Sequence, residues 1–358
     1  MQQLGDLPPI PTTIIGSYGL PSWYLTALEH IGRGEYGETD VAETLEDATA
    51  IAIDDQRRAG LNVISDGEVG RHDFIMGFYG RFEGLREVPP RRRLGPYLYD
   101  STAIYETTGR LSAPDGLGGV EELRRASARA ERPLKVAIAG PLTLTNAIRI
   151  VDGYRDRDEL LDDLVGIVNA ELRALAAAGC RFVQVDEPSF PVYRTDPTTI
   201  VDLFNRTVAG VDGPLVGLHV CFGNLRGRPQ SRRTYAEILP RLRDARADVI
   251  FLEFANREMA EIELWSKHDL PQQLAAGVVD VKSFYRERPD DVAERLRRVL
   301  QHVEPSRLWA VPDCGFWETP RWLAFRKLQA LVQGAALVRQ ELAPESQSPS
   351  VDGPGAPT

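Results

Sequence analysis

Eight short runs of apolar and β-branched residues, separated by longer amphipathic stretches, constrain the fold of this chain more than any other feature. Each run is nearly continuous in apolar side chains, as expected for strands buried on both faces of a sheet. The runs cover residues 12–17, 62–68, 135–141, 181–188, 216–223, 248–254, 275–283 and 308–315. Because the strands alternate with helical stretches, they predict an α/β fold: a single eight-stranded parallel β/α (TIM) barrel.

The helical pattern is clearest in four of the stretches between these runs. In one of them, Val292, Leu296 and Val299 recur at the spacing that places apolar side chains on one face of a helix. The four stretches cover residues 41–59, 159–178, 290–302 and 320–340.

One long insertion, from about residue 84 to 132, separates the second run from the third. Its start is rich in Pro and Arg, and the alternation of polar and apolar residues in 97–111 favours a hairpin excursion. We expect it over the barrel mouth or at a subunit contact. No linker-like segment follows, so residues 1–342 are expected to form one zinc-binding catalytic barrel. The Pro-, Ser- and Gly-rich residues 343–358 are expected to form a disordered tail.

Composition and charge argue against several classes of partner. The chain has 358 residues and a formal net charge of −10, whereas nucleic acids and membrane surfaces attract a basic face. No run approaches the roughly 18 apolar residues of a membrane helix. The start lacks the basic and apolar segments of a secretion signal. Three cysteines without a C-x-x-C pair do not make a disulfide framework. We therefore expect a cytoplasmic protein with no nucleic-acid or membrane partner.

Chemically versatile side chains collect where the predicted strands end. Barrel enzymes build their active sites from the carboxyl ends of the strands, so these side chains are expected to converge over one end of the barrel. They are Ser17, Asp66, Glu68, Asp186, Glu187, His219, Cys221, Glu253, Asp280, Lys282, Asp313 and Cys314.

Four of these strand-end residues form a candidate metal site. His219 and Cys221 are two positions apart on one strand, so their side chains point to the same side. Glu253 and Cys314 end two other strands. Two thiolates, an imidazole and a carboxylate suit Zn²⁺, which lowers the pKa of a bound thiol and so keeps it nucleophilic at neutral pH. Cys180 is expected to be an inert buried thiol.

Several spaced blocks of the sequence resemble the catalytic barrel of the cobalamin-independent methionine synthase family. The blocks, in chain order, occupy residues 12–17, 66–68, 140–143, 184–188, 219–221 and 312–315. The resemblance implies that His219, Cys221, Glu253 and Cys314 bind zinc. It also implies that Ser17, Glu68 and Asp186 hold the amino and carboxylate groups of homocysteine. We expect Asp186, Glu187 and Lys282 to act in catalysis.

Two positions depart from the family pattern and put a folate donor in doubt. Ala147 stands after Asn146, where the family commonly has a tryptophan, and Lys282 stands where it has a histidine acid. The polyglutamate-binding N-terminal half of the folate enzymes is also not expected here. The expected partners are a small-molecule thiol, an alkyl donor such as a corrinoid methyl-donor protein, and a second copy of the chain.

Three other readings stay open. An epoxyalkane:coenzyme M transferase-like enzyme would use a zinc thiolate to open an epoxide. A barrel with a purely structural zinc site would not be an enzyme, although such sites usually use adjacent Cys/His pairs rather than ligands from separate strands. A relative of the barrel decarboxylases that act on porphyrins would not need His219, Cys221 and Cys314.

Overall fold

A six-stranded parallel sheet forms the centre of the protein, with helices packed outside it. The computed structural model describes residues 4–71, 76–88, 104–188, 190–191, 196–224, 227–229 and 231–343. The strands are β1 (Glu83–Val88), β2 (Ile104–Ser112), β3 (Val136–Ala139), β4 (Ile148–Asp152), β5 (Phe182–Asp186), β6 (Leu215–Val220), β7 (Val249–Leu252), β8 (Gln273–Val279) and β9 (Leu308–Pro312). The parallel sheet has the order β3-β5-β6-β7-β8-β9.

Helices follow the strands at nearly the positions that the sequence predicts. They are α1 (Ser22–Gly32), α2 (Glu38–Ala59), α3 (Met76–Tyr79), α4 (Gly119–Ser127), α5 (Pro141–Leu144), α6 (Arg157–Ala177), α7 (Pro197–Thr207), α8 (Leu239–Leu242), α9 (Glu263–Lys267), α10 (Pro289–Val299) and α11 (Arg321–Leu342). The four predicted helices correspond to α2, α6, α10 and α11. No helix in the described ranges is both long and apolar enough to cross a membrane. The predicted tail from residue 344 lies outside the described residues.

The first two predicted strands are extended segments with single bridges rather than regular strands. Thr12 pairs with Ala310 of β9, and Ile64 pairs with Leu134 just before β3. Asn62 joins the two segments, because its side-chain oxygen accepts hydrogen bonds from the backbone and hydroxyl of Thr12. The Asn62 side chain thus replaces part of the backbone hydrogen-bond ladder. The second extended segment ends at Gly67 and Glu68, which have positive φ angles. The expectation of eight regular strands is therefore not confirmed in the described residues, although the fold is TIM-barrel-like.

Two layers of apolar side chains pack on the two faces of the parallel sheet. Alternate residues of a strand point to opposite faces, so Val249 and Phe251 face one way while Ile250 and Leu252 face the other. The smaller cluster lies inside the curve of the sheet, and the larger one lies between sheet and helices. The inner cluster consists of Ile15, Val63, Phe182, Val249, Phe251, Ala275, Trp309 and Val311.

The long insertion contributes two strands to a separate three-stranded sheet. β1 and β2 pair antiparallel, which confirms the predicted hairpin, and β4 adds to β2 in parallel. The ion pair between Arg110 of β2 and Asp163 of α6, 2.6 Å long, ties this sheet to the helical layer. Its expected position over the mouth or at a subunit contact stays a prediction.

Candidate active site and metal centre

The register of the parallel sheet brings the strand-end side chains to one edge. Asp186, the last residue of β5, pairs with His219 of β6. Glu253 directly follows β7, and Cys314 lies two residues beyond β9. Because neighbouring parallel strands end at the same edge, residues that are far apart in sequence meet there, as the sequence predicts.

Two sulfurs and an imidazole form a compact group at this edge. One ring nitrogen of His219 and the Sγ atoms of Cys221 and Cys314 all lie within 4.8 Å of one another. The two Sγ atoms are 3.6 Å apart. Two sulfurs bound tetrahedrally to one Zn²⁺ at about 2.3 Å would stand about 3.8 Å apart. The observed spacing therefore fits a metal that both thiols bind.

His219 is oriented as a metal ligand. Its Nδ1 lies 3.0 Å from Oδ1 of Asp186, and both side chains are buried. Its Nε2 is also buried and has no hydrogen-bond partner among the residues that the structure describes. A buried polar atom without a partner is destabilising, and binding to a metal ion satisfies it. Burial lowers the pKa of His219, but the Asp186 hydrogen bond outweighs this effect and raises the pKa to about 9.

The paired thiols favour one thiolate even without a metal. The hydrogen bond from the Cys221 thiol lowers the pKa of Cys314 well below its ordinary value, with a further contribution from His219. The same hydrogen bond, together with burial, raises the pKa of Cys221. Cys314, the more exposed of the two cysteine residues, is thus the more acidic one, and a thiolate is the form that binds zinc.

Glu253 lies beside the two sulfurs and the imidazole but is not a member of the group they form among the described residues. Its Oε2 forms an ion pair with Nζ of Lys282 at 2.6 Å, and the two side chains are 0% and 1% exposed. Its Oε1 is buried without a hydrogen-bond partner in the described part of the chain. Burial disfavours the charged lysine, but the Glu253 carboxylate outweighs it and raises the pKa of Lys282. A free, buried carboxylate oxygen remains available as a further ligand.

Two buried side chains hold the backbone around Glu253: Asp313, one of the predicted strand-end residues, and Tyr235, which the sequence reasoning did not place at the site. The Tyr235 hydroxyl accepts a 2.8 Å hydrogen bond from the Glu253 amide. Asp313 accepts hydrogen bonds from the amides of Phe254 and Ala255, each 2.9 Å long. Asp313 directly precedes Cys314, so these hydrogen bonds tie the Glu253 segment to a predicted metal ligand.

Ser17 and Glu68 form the other side of the site, and each lies against a glycine. A Cβ added to Gly16 would lie 2.1 Å from Oε1 of Glu68, and one added to Gly315 would lie 2.0 Å from Oγ of Ser17. Such close approach is possible only without a side chain. The glycines of two predicted family blocks thus make room for the predicted substrate-binding groups.

Glu68 is buried among charges. Burial and the nearby Asp186 raise the pKa of Glu68 to about 8, although Arg71 opposes the shift. Arg71 is itself held by a bidentate pair with Glu122, with hydrogen bonds of 2.7 and 2.5 Å. Glu122 lies within the insertion, so no local pattern in the sequence could have linked Arg71 to this site.

Residues 10–337 of this chain match a protein family described as "Cobalamin-independent synthase, Catalytic domain". The chain belongs to the cobalamin-independent methionine synthase family. It is 30% identical to the methionine synthase of Saccharolobus islandicus (strain Y.G.57.14 / Yellowstone #1) over 339 residues, which are 95% of this chain and 98% of that protein. The methionine synthase of Sulfurisphaera tokodaii is also 30% identical, over 95% of each chain.

A solved structure agrees with these sequence relatives. The B12-independent methionine synthase from Shewanella sp. W3-18-1, in complex with selenomethionine, superimposes with a TM-score of 0.80 at 26% identity. The match covers 94% of this chain and 99% of that one. The protein is therefore a methionine-synthase-like, cobalamin-independent methyltransferase that acts on small-molecule substrates.

Glu187, which we expect to act in catalysis, makes hydrogen bonds that the sequence did not predict. Its carboxylate accepts hydrogen bonds from the amides of Leu142 and Thr143, at 3.0 and 2.9 Å, and from the Thr143 hydroxyl at 2.7 Å. It thus holds the start of α5. Burial raises the pKa of Glu187 to about 8. The catalytic role that we expect of Glu187 stays a prediction.

Proposed function

We propose that this methionine synthase family member binds Zn²⁺ through His219, Cys221, Cys314 and Glu253. It would use the metal to methylate homocysteine or a related amino thiol. Two observations on His219 carry the proposal: its buried Nε2 has no hydrogen-bond partner in the described residues, and one of its ring nitrogens lies within 4.8 Å of two cysteine sulfurs. Glu253 has the weakest support of the four, since it lies beside the other three and offers a buried Oε1 that has no hydrogen-bond partner in the described part of the chain.

Zinc at this position would lower the pKa of the substrate thiol, so that a nucleophilic thiolate exists at neutral pH. The thiolate sulfur forms the new bond to the methyl carbon, and the bond from that carbon to the donor breaks with its electron pair on the donor. Glu68 and Asp186 would hold the substrate ammonium through charge-assisted hydrogen bonds, and Ser17 would bind its carboxylate. The selenomethionine in the Shewanella relative supports a site for an amino acid with a side chain of this kind.

The methyl donor is proposed to be something other than a polyglutamyl folate. Ala147 and Lys282 stand where the folate enzymes of the family commonly have a tryptophan and a histidine. A cavity of about 200 Å³ adjoins Lys282 and is lined also by Asn224 and Thr319. A corrinoid methyl-donor protein remains a candidate partner.

Lys282 also favours a second candidate function, the opening of an epoxide by a zinc thiolate. An ammonium close to the thiol can stabilise the alkoxide that forms when the epoxide C–O bond breaks. In this structure the Lys282 ammonium is paired with Glu253, so part of its positive charge is already compensated. A screen of zinc-loaded protein with methylcobalamin, methyl-folates and short epoxides, with products identified by mass, separates the two functions.

The metal assignment is tested by exchanging single cysteines. Cys221→Ser should remove stoichiometric zinc and activity, because the structure places its sulfur 3.6 Å from that of Cys314. Cys180→Ser is the matched control, since the Cys180 thiol is buried elsewhere and contacts the Phe182 carbonyl. Stoichiometric zinc retained in purified Cys221→Ser protein would refute the assignment.

Recognition of an amino group is tested at Glu68. Glu68→Gln should weaken the use of homocysteine by about tenfold to a hundredfold, because a charge-assisted hydrogen bond contributes roughly 1.5 to 3 kcal/mol. A thiol without the amino group should react with both proteins at similar rates. If wild-type protein uses that thiol as well as homocysteine, the site does not select amino acids.

A further inference from the structure

A buried lysine lies directly beneath the site described above. Lys135 precedes β3 and is 1% exposed. Its ammonium donates hydrogen bonds to the carbonyls of Ile14 and Ile15, the latter at 2.8 Å, and to Oε1 of Gln184 at 2.5 Å. The Phe251 ring of the inner apolar cluster lies 4.4 Å below the ammonium. Burial lowers the pKa of Lys135 to about 7, although the Asp186 and Glu68 carboxylates oppose the shift. A polar group buried in this way opposes folding unless its hydrogen bonds are satisfied, as they are here.

Lys135 fixes the orientation of the Gln184 amide. Lys135 donates to the side-chain oxygen of Gln184, so that oxygen faces the lysine. The amide nitrogen then faces the opposite way, where it donates to Oδ1 of Asp186 at 2.6 Å and to the Ile15 carbonyl at 2.9 Å. A reversed amide would place two acceptor oxygens, those of Gln184 and Asp186, against each other.

The hydrogen-bonded chain continues to the metal site. The Asp186 Oδ1 that accepts from Gln184 also lies 3.0 Å from Nδ1 of His219. None of the four residues, from Lys135 to His219, is more than 3% exposed. Because Asp186 is held as an acceptor for the Nδ1 proton, His219 would present Nε2 to a bound metal ion. That nitrogen has no hydrogen-bond partner among the described residues.

We propose that Lys135 and Gln184 are positioning residues for the metal centre. They hold Asp186 in the position that fixes the tautomer and ring orientation of His219. The inference rests on the proposed zinc function, but it concerns residues that bind neither metal nor substrate. Groups that orient a metal-binding histidine typically change metal affinity by about 10-fold to 100-fold when they are removed.

Zinc affinity, measured by competition with a chromophoric chelator, tests the proposal. Gln184→Leu removes the donor to Asp186 but leaves Lys135 its two carbonyl acceptors, and it should weaken zinc binding by about 10-fold to 100-fold. Lys135→Met should have a similar effect. By hydrogen bonds, Lys135 acts on Asp186 only through Gln184. The double variant should therefore bind zinc no more weakly than whichever single variant has the lower zinc affinity.

Lys327→Met is the matched control. Lys327 is as deeply buried, but its ammonium pairs with Glu287 at 2.7 Å and not with the chain that reaches His219. This variant should lose stability and keep the zinc affinity of the wild type.

If Lys135→Met does not fold, Gln184→Leu alone decides the outcome. Folded Gln184→Leu protein that binds zinc within twofold of the wild type would overturn the inference, as would equal weakening in Lys327→Met. Failure of the wild-type protein itself to bind zinc would instead refute the proposed metal centre, and this inference with it.

Discussion

Replacing Lys282 with Met should destabilise the metal-free protein by about 3–5 kcal/mol, because it leaves a buried carboxylate without its partner. The Lys282–Glu253 ion pair is 2.6 Å long, and both side chains are almost completely excluded from solvent. Met keeps most of the side-chain volume, so the loss is mainly electrostatic. The double variant Lys282→Met/Glu253→Gln has no uncompensated charge. Its loss of unfolding free energy should therefore be about 2–3 kcal/mol smaller than the sum of the losses in the two single variants.

Zinc should change this coupling if Glu253 is a ligand. A bound cation beside the free Oε1 would compensate the carboxylate in place of the lysine. The four proteins of the cycle would be unfolded with urea, once with a chelator and once with excess zinc, and the free energies of unfolding compared. We expect the coupling energy to shrink with zinc. A cost below about 1 kcal/mol for Lys282→Met without metal would refute the electrostatic reasoning. An equal coupling energy in both conditions would exclude Glu253 as a ligand.

Two further predictions concern the substrate side of the site. Gly16→Ala should raise the KM for amino thiols by about tenfold or more, because the new Cβ would lie 2.1 Å from the Glu68 carboxylate; steady-state kinetics showing an unchanged KM would contradict it. Burial raises the pKa of Glu187 from 4.5 to about 8, so its contribution to stability is fully present below pH 4.5 and is lost as the pH rises through 8. Urea unfolding of metal-free protein between pH 5 and 8 should show a steeper fall in stability for the wild type than for Glu187→Gln, by about 1.4 kcal/mol per pH unit; parallel curves would count against a raised pKa.

The amino-acid sequence by itself determined the order of the six parallel strands and of the longest helices, and the residues at the strand ends. These features are local, because an apolar run or a helical stripe needs only its own neighbours to be recognised. The helices α2, α6, α10 and α11 therefore match their predictions closely. β4 was not predicted, since it is short and partly exposed and forms only where the hairpin supplies a partner. The irregular first two segments also depend on a distant contact, that of Asn62 with Thr12.

The sequence predicts that the strand-end groups converge, but only the tertiary structure sets the distances and pairings among them. Cys221 and Cys314 are 93 positions apart, yet their sulfurs are 3.6 Å apart. The pairing of Lys282 with Glu253 depends on how β7 and β8 end side by side, and no local pattern encodes it. The same is true of Lys135 and Gln184, whose side chains meet only because β3 and β5 are neighbours in the sheet. Sequence patterns thus select the kinds of group at the site, whereas strand register and burial set their charges and their partners.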